Sequence, residues 1–229
     1  MTESAAPSTP QSREARSASP RFSLLFFFLL ANLILYPFAE GSGIGYYLFR
    51  ASGFAAVLLS VYAVSFRRTL FVVVLVLATP AMIHHVFLKP GDASSFSIVN
   101  TVLSFAFDGL IILVLFRKVF ARGQVNTETI YGALSIYLLI GFTFAGIYGL
   151  ISAVMPKAFY LDPTLNTHPI LSRFDFVYYS FATITSLGSA GIVPVAGQAR
   201  SFSVIESVTG ILYLAVLISR LMAEYRKRG

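Results

Sequence analysis

The residues of this chain that could do chemistry are hydroxyl side chains and isolated charges set among apolar tracts. Hydroxyls and glycines are concentrated in residues 183–191, which read TITSLGSAG. Hydroxyl oxygens of this kind can bind partly hydrated cations. Arg50, Asp108 and Glu206 each interrupt an apolar tract, where an ionisable residue is a functional candidate by default.

Other kinds of site are excluded by residues that the sequence lacks. With no cysteine, the chain has no thiolate nucleophile and no Cys-ligated metal, and three histidines are too few for most metal sites. A serine hydrolase built on Ser189 would need the motif Gly-x-Ser-x-Gly, but Leu187 stands at the first glycine position. A secondary transporter would show two corresponding broken segments, and only one is visible. We therefore predict no catalytic residue, no metal and no cofactor.

The composition is typical of a membrane protein. Of the 229 residues, 56% are hydrophobic and 12% are charged, whereas soluble domains carry about 25% charged residues. The mean hydropathy is +0.77. The net charge of +7 comes from short Lys and Arg clusters between apolar tracts, a pattern that orients membrane proteins, so nucleic acid is not an expected partner. We predict an all-α integral membrane protein embedded in a lipid bilayer.

Six apolar tracts approach the roughly 20 residues that a helix needs to cross the hydrocarbon core. They are residues 22–38, 46–66, 70–88, 96–116, 131–154 and 199–222. The shorter apolar run 174–187 predicts a re-entrant helix followed by a loop. We predict a disordered tail at 1–21 and a region of four transmembrane helices at 22–126. Lys and Arg are concentrated on the side that holds both termini, which are therefore expected in the cytoplasm.

The C-terminal part of the chain resembles a known family. Residues 174–194 read FDFVYYSFATITSLGSAGIVP and are similar to the pore helix and selectivity filter of bacterial two-transmembrane-pore potassium channels. The flanking runs, TIYGA and YLLIG before it and ARS and LYLAVLI after it, are similar to the outer and inner pore helices of that family. The resemblance implies that residues 127–229 form the pore domain of a homotetramer in the bacterial inner membrane, with K+ or Na+ as the permeant ion.

The aligned filter departs from the pattern of the family, which is Thr-Thr-Val/Leu-Gly-Tyr-Gly-Asp. The inner four positions align here with Thr185, Ser186, Leu187 and Gly188. The outer three positions, Tyr-Gly-Asp in the family, align with Ser189, Ala190 and Gly191. Loss of these three residues removes a brace that keeps carbonyl rings in register, so we predict a weakly selective cation channel. Restoring Tyr, Gly and Asp should raise its preference for potassium.

Four further residues are assigned from their place in the predicted spans. Glu206 is expected either against the re-entrant helix, bonded to its end or to a filter backbone group, or as a cation-attracting charge at the outer mouth. Gly210 is interpreted as a gating hinge or as an ordinary glycine of a membrane helix. Asp108 is predicted to pair with Arg50, as a structural tie rather than a proton relay.

Gating and conduction are less constrained by the sequence. The fourth predicted span has no Arg or Lys at three-residue spacing, so we do not expect strong voltage gating. The main alternative to a channel is a channel-like membrane subunit, or a modifier of a related channel, that does not conduct alone.

Overall fold

The computed structural model describes residues 21–35, 38, 44–64, 72, 74–76, 78–79, 95–121, 126–166, 171–189 and 191–226. Its longer helices are α1 (Arg21–Leu35), α2 (Ile44–Val64), α3 (Ser95–Val119), α4 (Thr127–Val154), α5 (Arg173–Ile184) and α6 (Gly197–Arg226). Strands β1 (Phe159–Leu161) and β2 (Ile192–Pro194) form an antiparallel two-stranded sheet. The predicted tail lies outside the described residues except for Arg21, which begins α1.

The prediction of an all-α fold with six transmembrane helices is wrong. Among the residues that the structure describes, two helices are long and apolar enough to cross a membrane, namely α4 and residues Gly197–Ala223 of α6. The sheet of β1 and β2 adds a small element that the all-α prediction does not contain.

The reason for the difference lies in the first half of the chain. Helix α1 has 15 residues, about 22 Å at 1.5 Å per residue, and falls short of a hydrocarbon core of about 30 Å. In α2 the described apolar stretch Ala51–Ala63 is likewise short of that length. Helix α3 carries three charged residues, Asp108, Arg117 and Lys118. Most of the predicted span at 70–88 lies outside the described residues.

Helices α1 and α3 pack with α4 around a shared apolar core. Leu25, Ile111 and Ile136, one from each of the three helices, are fully buried in it. The start of α1 is tied to the start of α4, because Glu128 Oε2 accepts the Phe22 N–H at 2.9 Å. A carboxylate is favourable there, since the first N–H groups of a helix lack partners within the helix.

Candidate functional site

Helix α5 begins at a capping box and is held between α4 and α6. Ser172 Oγ accepts the Asp175 N–H at 3.2 Å, and Asp175 Oδ2 accepts the Ser172 N–H at 2.6 Å. The two bonds satisfy N–H groups that the first helical turn leaves unpaired. The short helix predicted at 174–187 is therefore present, and it ends three residues earlier than predicted.

Gly141 of α4 lets α5 approach closely. A Cβ at this position would lie 2.8 Å from Phe181 Cζ, which is closer than atoms of this kind pack. The backbone of Gly141, which no side chain covers, also forms a hydrogen bond with α5: Ser180 Oγ donates to the Gly141 carbonyl at 2.7 Å. Small residues have this effect between membrane helices generally.

Glu206 of α6 is fully buried and joins three helices. Its Oε2 accepts the hydroxyl of Tyr148 from α4 at 2.5 Å, and its Oε1 is hydrogen-bonded to Ser180 Oγ from α5. Glu206 thus contacts the short helix near its middle, rather than at its end or through a filter backbone group. In the single chain its side chain is buried between helices and is not an exposed charge.

The hydrogen count around Ser180 bears on the charge of Glu206. Ser180 Oγ carries one hydrogen, yet it lies within hydrogen-bond distance of two acceptors, the Gly141 carbonyl and Glu206 Oε1. Both contacts are full two-centre hydrogen bonds only when Glu206 carries a proton on Oε1, since an ionised Glu206 leaves the one hydrogen of Ser180 shared between two acceptors. A neutral carboxyl at this buried position also avoids the free energy of desolvating a charge.

The end of α5 turns into the candidate filter through a Schellman motif. The Leu187 N–H donates to the Ala182 carbonyl at 2.9 Å, and the Ser186 N–H donates to the Thr183 carbonyl at 3.0 Å. Ser186 occupies the position after the helix cap with a φ of 58°. Glycine is the usual residue there, because a Cβ is unfavourable in this left-handed conformation.

The turn that follows α5 is exposed and rich in free carbonyl oxygens. Residues 185–188 are all exposed, with Leu187 at 77%. Within the described part of the chain, no hydrogen bond reaches the carbonyl oxygens of these residues. The C-terminal end of α5, which carries the partial negative charge of the helix dipole, ends at this turn. The arrangement is suited to binding a cation.

The outer part of the candidate filter is partly described. Ser189 Oγ donates to the Ile192 carbonyl at 2.8 Å, so its hydrogen is used within the chain while its lone pairs remain. Ala190 lies outside the described residues. Gly191 follows, with a φ of 89°.

Gly210 of α6 packs against the end of α5. A Cβ at Gly210 would lie 2.5 Å from the Ile184 carbonyl oxygen and 2.6 Å from Ile184 Cγ1. Tyr137 OH of α4 donates to the same carbonyl at 3.2 Å. The absence of a side chain at Gly210 is therefore required for packing, and its assignment as a hinge stays a prediction.

Described contacts do not bring together Arg50 and Asp108, the two charges of the first half that are predicted to pair. The side chain of Arg50 lies outside the described residues, so its pairing with Asp108 stays a prediction. Asp108 of α3 is partly buried and lies within electrostatic range of Arg173, the first residue of α5.

Sequence reasoning missed Tyr148 and Ser180 as the partners of Glu206. The available signal was the isolated acid itself, because a buried carboxyl requires polar partners on the helices that pack against it. Both partners lie in the predicted outer and short helices, but a sequence without contacts does not indicate which polar residues face α6.

Part of the chain that contains the candidate filter is similar to known proteins. Residues 136–227 match a family model described as an ion channel. The predicted resemblance to an ion channel family is confirmed. This ion channel segment, residues 136–227, contains α5, α6 and most of α4, and thus most or all of the two described helices that are able to cross a membrane. In this segment the chain is similar to ion channels, and among the described residues two helices, rather than the predicted six, are able to cross a membrane.

One curated relative extends the ion channel match. The chain is 27% identical over 127 residues to the voltage-gated potassium channel Kch of Escherichia coli (strain K12). The matched part is 56% of this chain and 28% of the relative, so the chain spans less than a third of the length of that protein. No solved structure matches the chain.

Proposed function

We propose that this chain forms a homotetrameric, potassium-channel-like cation channel in the bacterial inner membrane, with residues 127–229 as the pore domain. The permeant ions are K+ and Na+, and residues 185–191 form the filter. The observation that carries the proposal is the exposed turn of residues 185–188, whose carbonyl oxygens accept no hydrogen bond in the described part of the chain. The turn lies within the segment that matches the ion channel family.

The electrostatic potential of the turn favours the binding of cations over anions. Helix α5 directs the negative end of its dipole at the turn, and the free carbonyl oxygens add partial negative charge. Glu206 lies behind the turn and holds α5 in place. Its role is to position the helix rather than to contact the ion.

The exposed surface of α6 supports assembly from several chains. Its apolar residues Val204, Ile205, Val208, Ile211 and Leu212 are each 49–63% exposed in the single chain. A single turn cannot enclose a pore, so copies of the turn must meet around an axis. Four copies is the number that the family resemblance implies, and both termini are then cytoplasmic.

Weak selectivity and weak voltage dependence belong to the same proposal. Ser189 and Gly191 stand in place of bulky and acidic bracing residues, so the carbonyl rings are held less closely in register. The basic residues of α3, Arg117 and Lys118, lie in its last turn instead of recurring along the helix. A strong response to voltage needs several charges that move through the field.

A non-conducting subunit is the second candidate, and one observation favours it. The Schellman turn at Ser186 directs two N–H groups back to the carbonyls of α5. This turn ends the helix compactly and shortens the stretch that is left to form carbonyl rings. A chain of this kind could assemble with a related channel and modify it.

Ion flux from reconstituted protein separates the two candidates. The protein, purified as an assembly of measured mass, is placed in liposomes, and the fluxes of K+, Na+ and Cl- are recorded. We expect a tetramer that passes K+ and Na+ at similar rates and Cl- more slowly. Ser186→Lys should abolish cation flux, while Gln198→Lys, a matched change at an exposed position at the start of α6, should preserve it. A stable tetramer without flux would favour the non-conducting subunit, and a monomer would contradict both.

A further inference from the structure

Gly191, at the outer end of the candidate filter, is held by hydrogen bonds from the segment between α4 and α5. Its carbonyl accepts the Asp162 N–H at 2.8 Å and the Asn166 side-chain amide at 3.2 Å. A Cβ at Gly191 would lie 2.7 Å from Asn166 Nδ2. With a φ of 89° in addition, the position requires glycine for both conformation and space.

Residues 162–166 of this segment are held in place by hydrogen bonds among themselves. Asp162 and Pro163 occupy the first two positions of a turn, as is typical of type I turns, and the Leu165 N–H donates to the Asp162 carbonyl at 3.3 Å. The Thr164 hydroxyl and N–H both donate to Asp162 Oδ1, at 2.7 and 2.8 Å, and hold the pKa of Asp162 below its ordinary value. Asn166 Nδ2 also donates to the Asp162 carbonyl, at 2.8 Å, which fixes the amide beside Gly191.

Pairing of β1 with β2 holds the residues that follow Gly191. Leu161 and Phe159 of β1 lie opposite Ile192 and Pro194 of β2, and the Ala158 carbonyl accepts the N–H groups of residues 195 and 196. Phe159 is buried and packs against Phe176 of α5, with ring centroids 5.3 Å apart. The segment is therefore anchored to α5, the same helix that starts the candidate filter.

We infer that residues 158–166, the outer clamp, set the size limit for permeant cations, with Asn166 and Asp162 as positioning residues. The inference rests on the proposed function. The candidate filter is fixed at its inner end by the Schellman turn and at its outer end by the clamp, so the short backbone between these points cannot retract from the axis. The clamp also directs the Gly191 carbonyl toward Asp162 and Asn166, which leaves the exposed carbonyls of residues 185–188 to face ions.

The test compares Asn166→Ala with Leu165→Ala as a matched control. Leu165→Ala changes an exposed side chain of the same turn but keeps the Cβ that contacts Gly191. Fluxes of tetramethylammonium and K+ are measured in liposomes. We expect the ratio of tetramethylammonium to K+ flux to rise about fivefold in Asn166→Ala, the equivalent of one hydrogen bond, and to stay unchanged in Leu165→Ala.

Hydrogen–deuterium exchange provides a readout that does not depend on conduction. In Asn166→Ala, amides of residues 158–166 and 191–196 should exchange about fivefold faster, while those of α4 and α6 stay unchanged. If this variant does not fold, Asn166→Ser takes its place. Unchanged exchange at the clamp, or faster exchange with an unchanged flux ratio, would overturn the inference. If the unmodified protein passes no ion, the proposed function and the size limit both fail, and faster exchange would still show that the clamp holds Gly191.

Discussion

The hydroxyl of Tyr148 donates to Glu206 Oε2 at 2.5 Å and joins α4 to α6, which are far apart in the sequence. Through Oε1 the same carboxyl meets Ser180, so the three helices of the ion channel segment share one buried polar contact. Buried networks of this kind are costly to break, because each lost partner leaves another polar atom without a hydrogen bond.

The first prediction separates a neutral from a charged Glu206. In Glu206→Gln the amide nitrogen can donate to Ser180 and the amide oxygen can accept from Tyr148, so we expect the free energy of unfolding to stay within about 1 kcal/mol. Glu206→Ala removes the acceptor of the Tyr148 hydroxyl and one of the two partners of Ser180, leaves a cavity, and should cost about 3 kcal/mol. Thermal unfolding in detergent, followed by circular dichroism, measures both. A Gln variant as unstable as the Ala variant would show that Glu206 is ionised.

The second prediction concerns close packing at Gly210. The Cβ of Gly210→Ala would lie 2.5 Å from the Ile184 carbonyl oxygen, so α6 must move away from α5. We expect a loss of about 1–3 kcal/mol of stability, as for other overpacked sites. Gly197→Ala is the control in the same helix, because a Cβ there meets nothing within 4 Å. Full stability of Gly210→Ala together with altered flux would instead favour the hinge interpretation.

The third prediction concerns the stability of the turn at the end of α5. Ser186 has a φ of 58°, a conformation that costs a residue with a Cβ about 1–2 kcal/mol, so Ser186→Gly should stabilise the protein by about 1 kcal/mol. The same substitution at Ser207, inside α6, should destabilise it by about 0.5–1 kcal/mol. Equal effects at the two positions, measured by thermal unfolding, would argue against the Schellman turn.

The ion channel segment was predictable because its signals are local. A short apolar run and a glycine-containing turn between two long apolar helices indicate α5 and its surroundings without any knowledge of tertiary contacts. The first half of the chain was not predictable in the same way. Counting the length of apolar tracts treats each tract as one helix of that length, whereas α1 spans only 15 residues, about 22 Å.

The outer clamp shows a second limit of sequence reasoning. Gly191 aligns with an aspartate of the family and was interpreted as the loss of an anchor. Its contacts with Asp162 and Asn166 show that a side chain at this position would collide with the clamp. The structure therefore changes the expectation for restoring the family's residues: substitutions at 189 and 190 can be tried, but Gly191→Asp is expected to destabilise the outer end of the filter. The pairing of β1 with β2 spans more than 30 residues, and no local pattern indicates it.

The fourth prediction tests that pairing directly. Tyr160 and Val193 lie opposite each other in the antiparallel pair, and both side chains are about half exposed. Opposing residues of such a pair have Cα atoms about 4.5–5.5 Å apart, which a disulfide can bridge. The native chain has no cysteine, so Tyr160→Cys with Val193→Cys introduces the one possible cross-link within a chain. We expect it to form on mild oxidation of the folded protein.

The effect of this cross-link on flux shows whether the clamp moves during conduction. A clamp that stays closed is compatible with the disulfide, so oxidised and reduced forms should pass K+ at similar rates. The control pairs Tyr160→Cys with Val195→Cys, which lies two residues beyond Val193, just past the end of β2, and should cross-link more slowly because diagonal Cα atoms lie about 7–8 Å apart. Equal cross-linking of both pairs would contradict the observed register. A flux that falls on oxidation and returns on reduction would mean that β1 and β2 must separate for ions to pass.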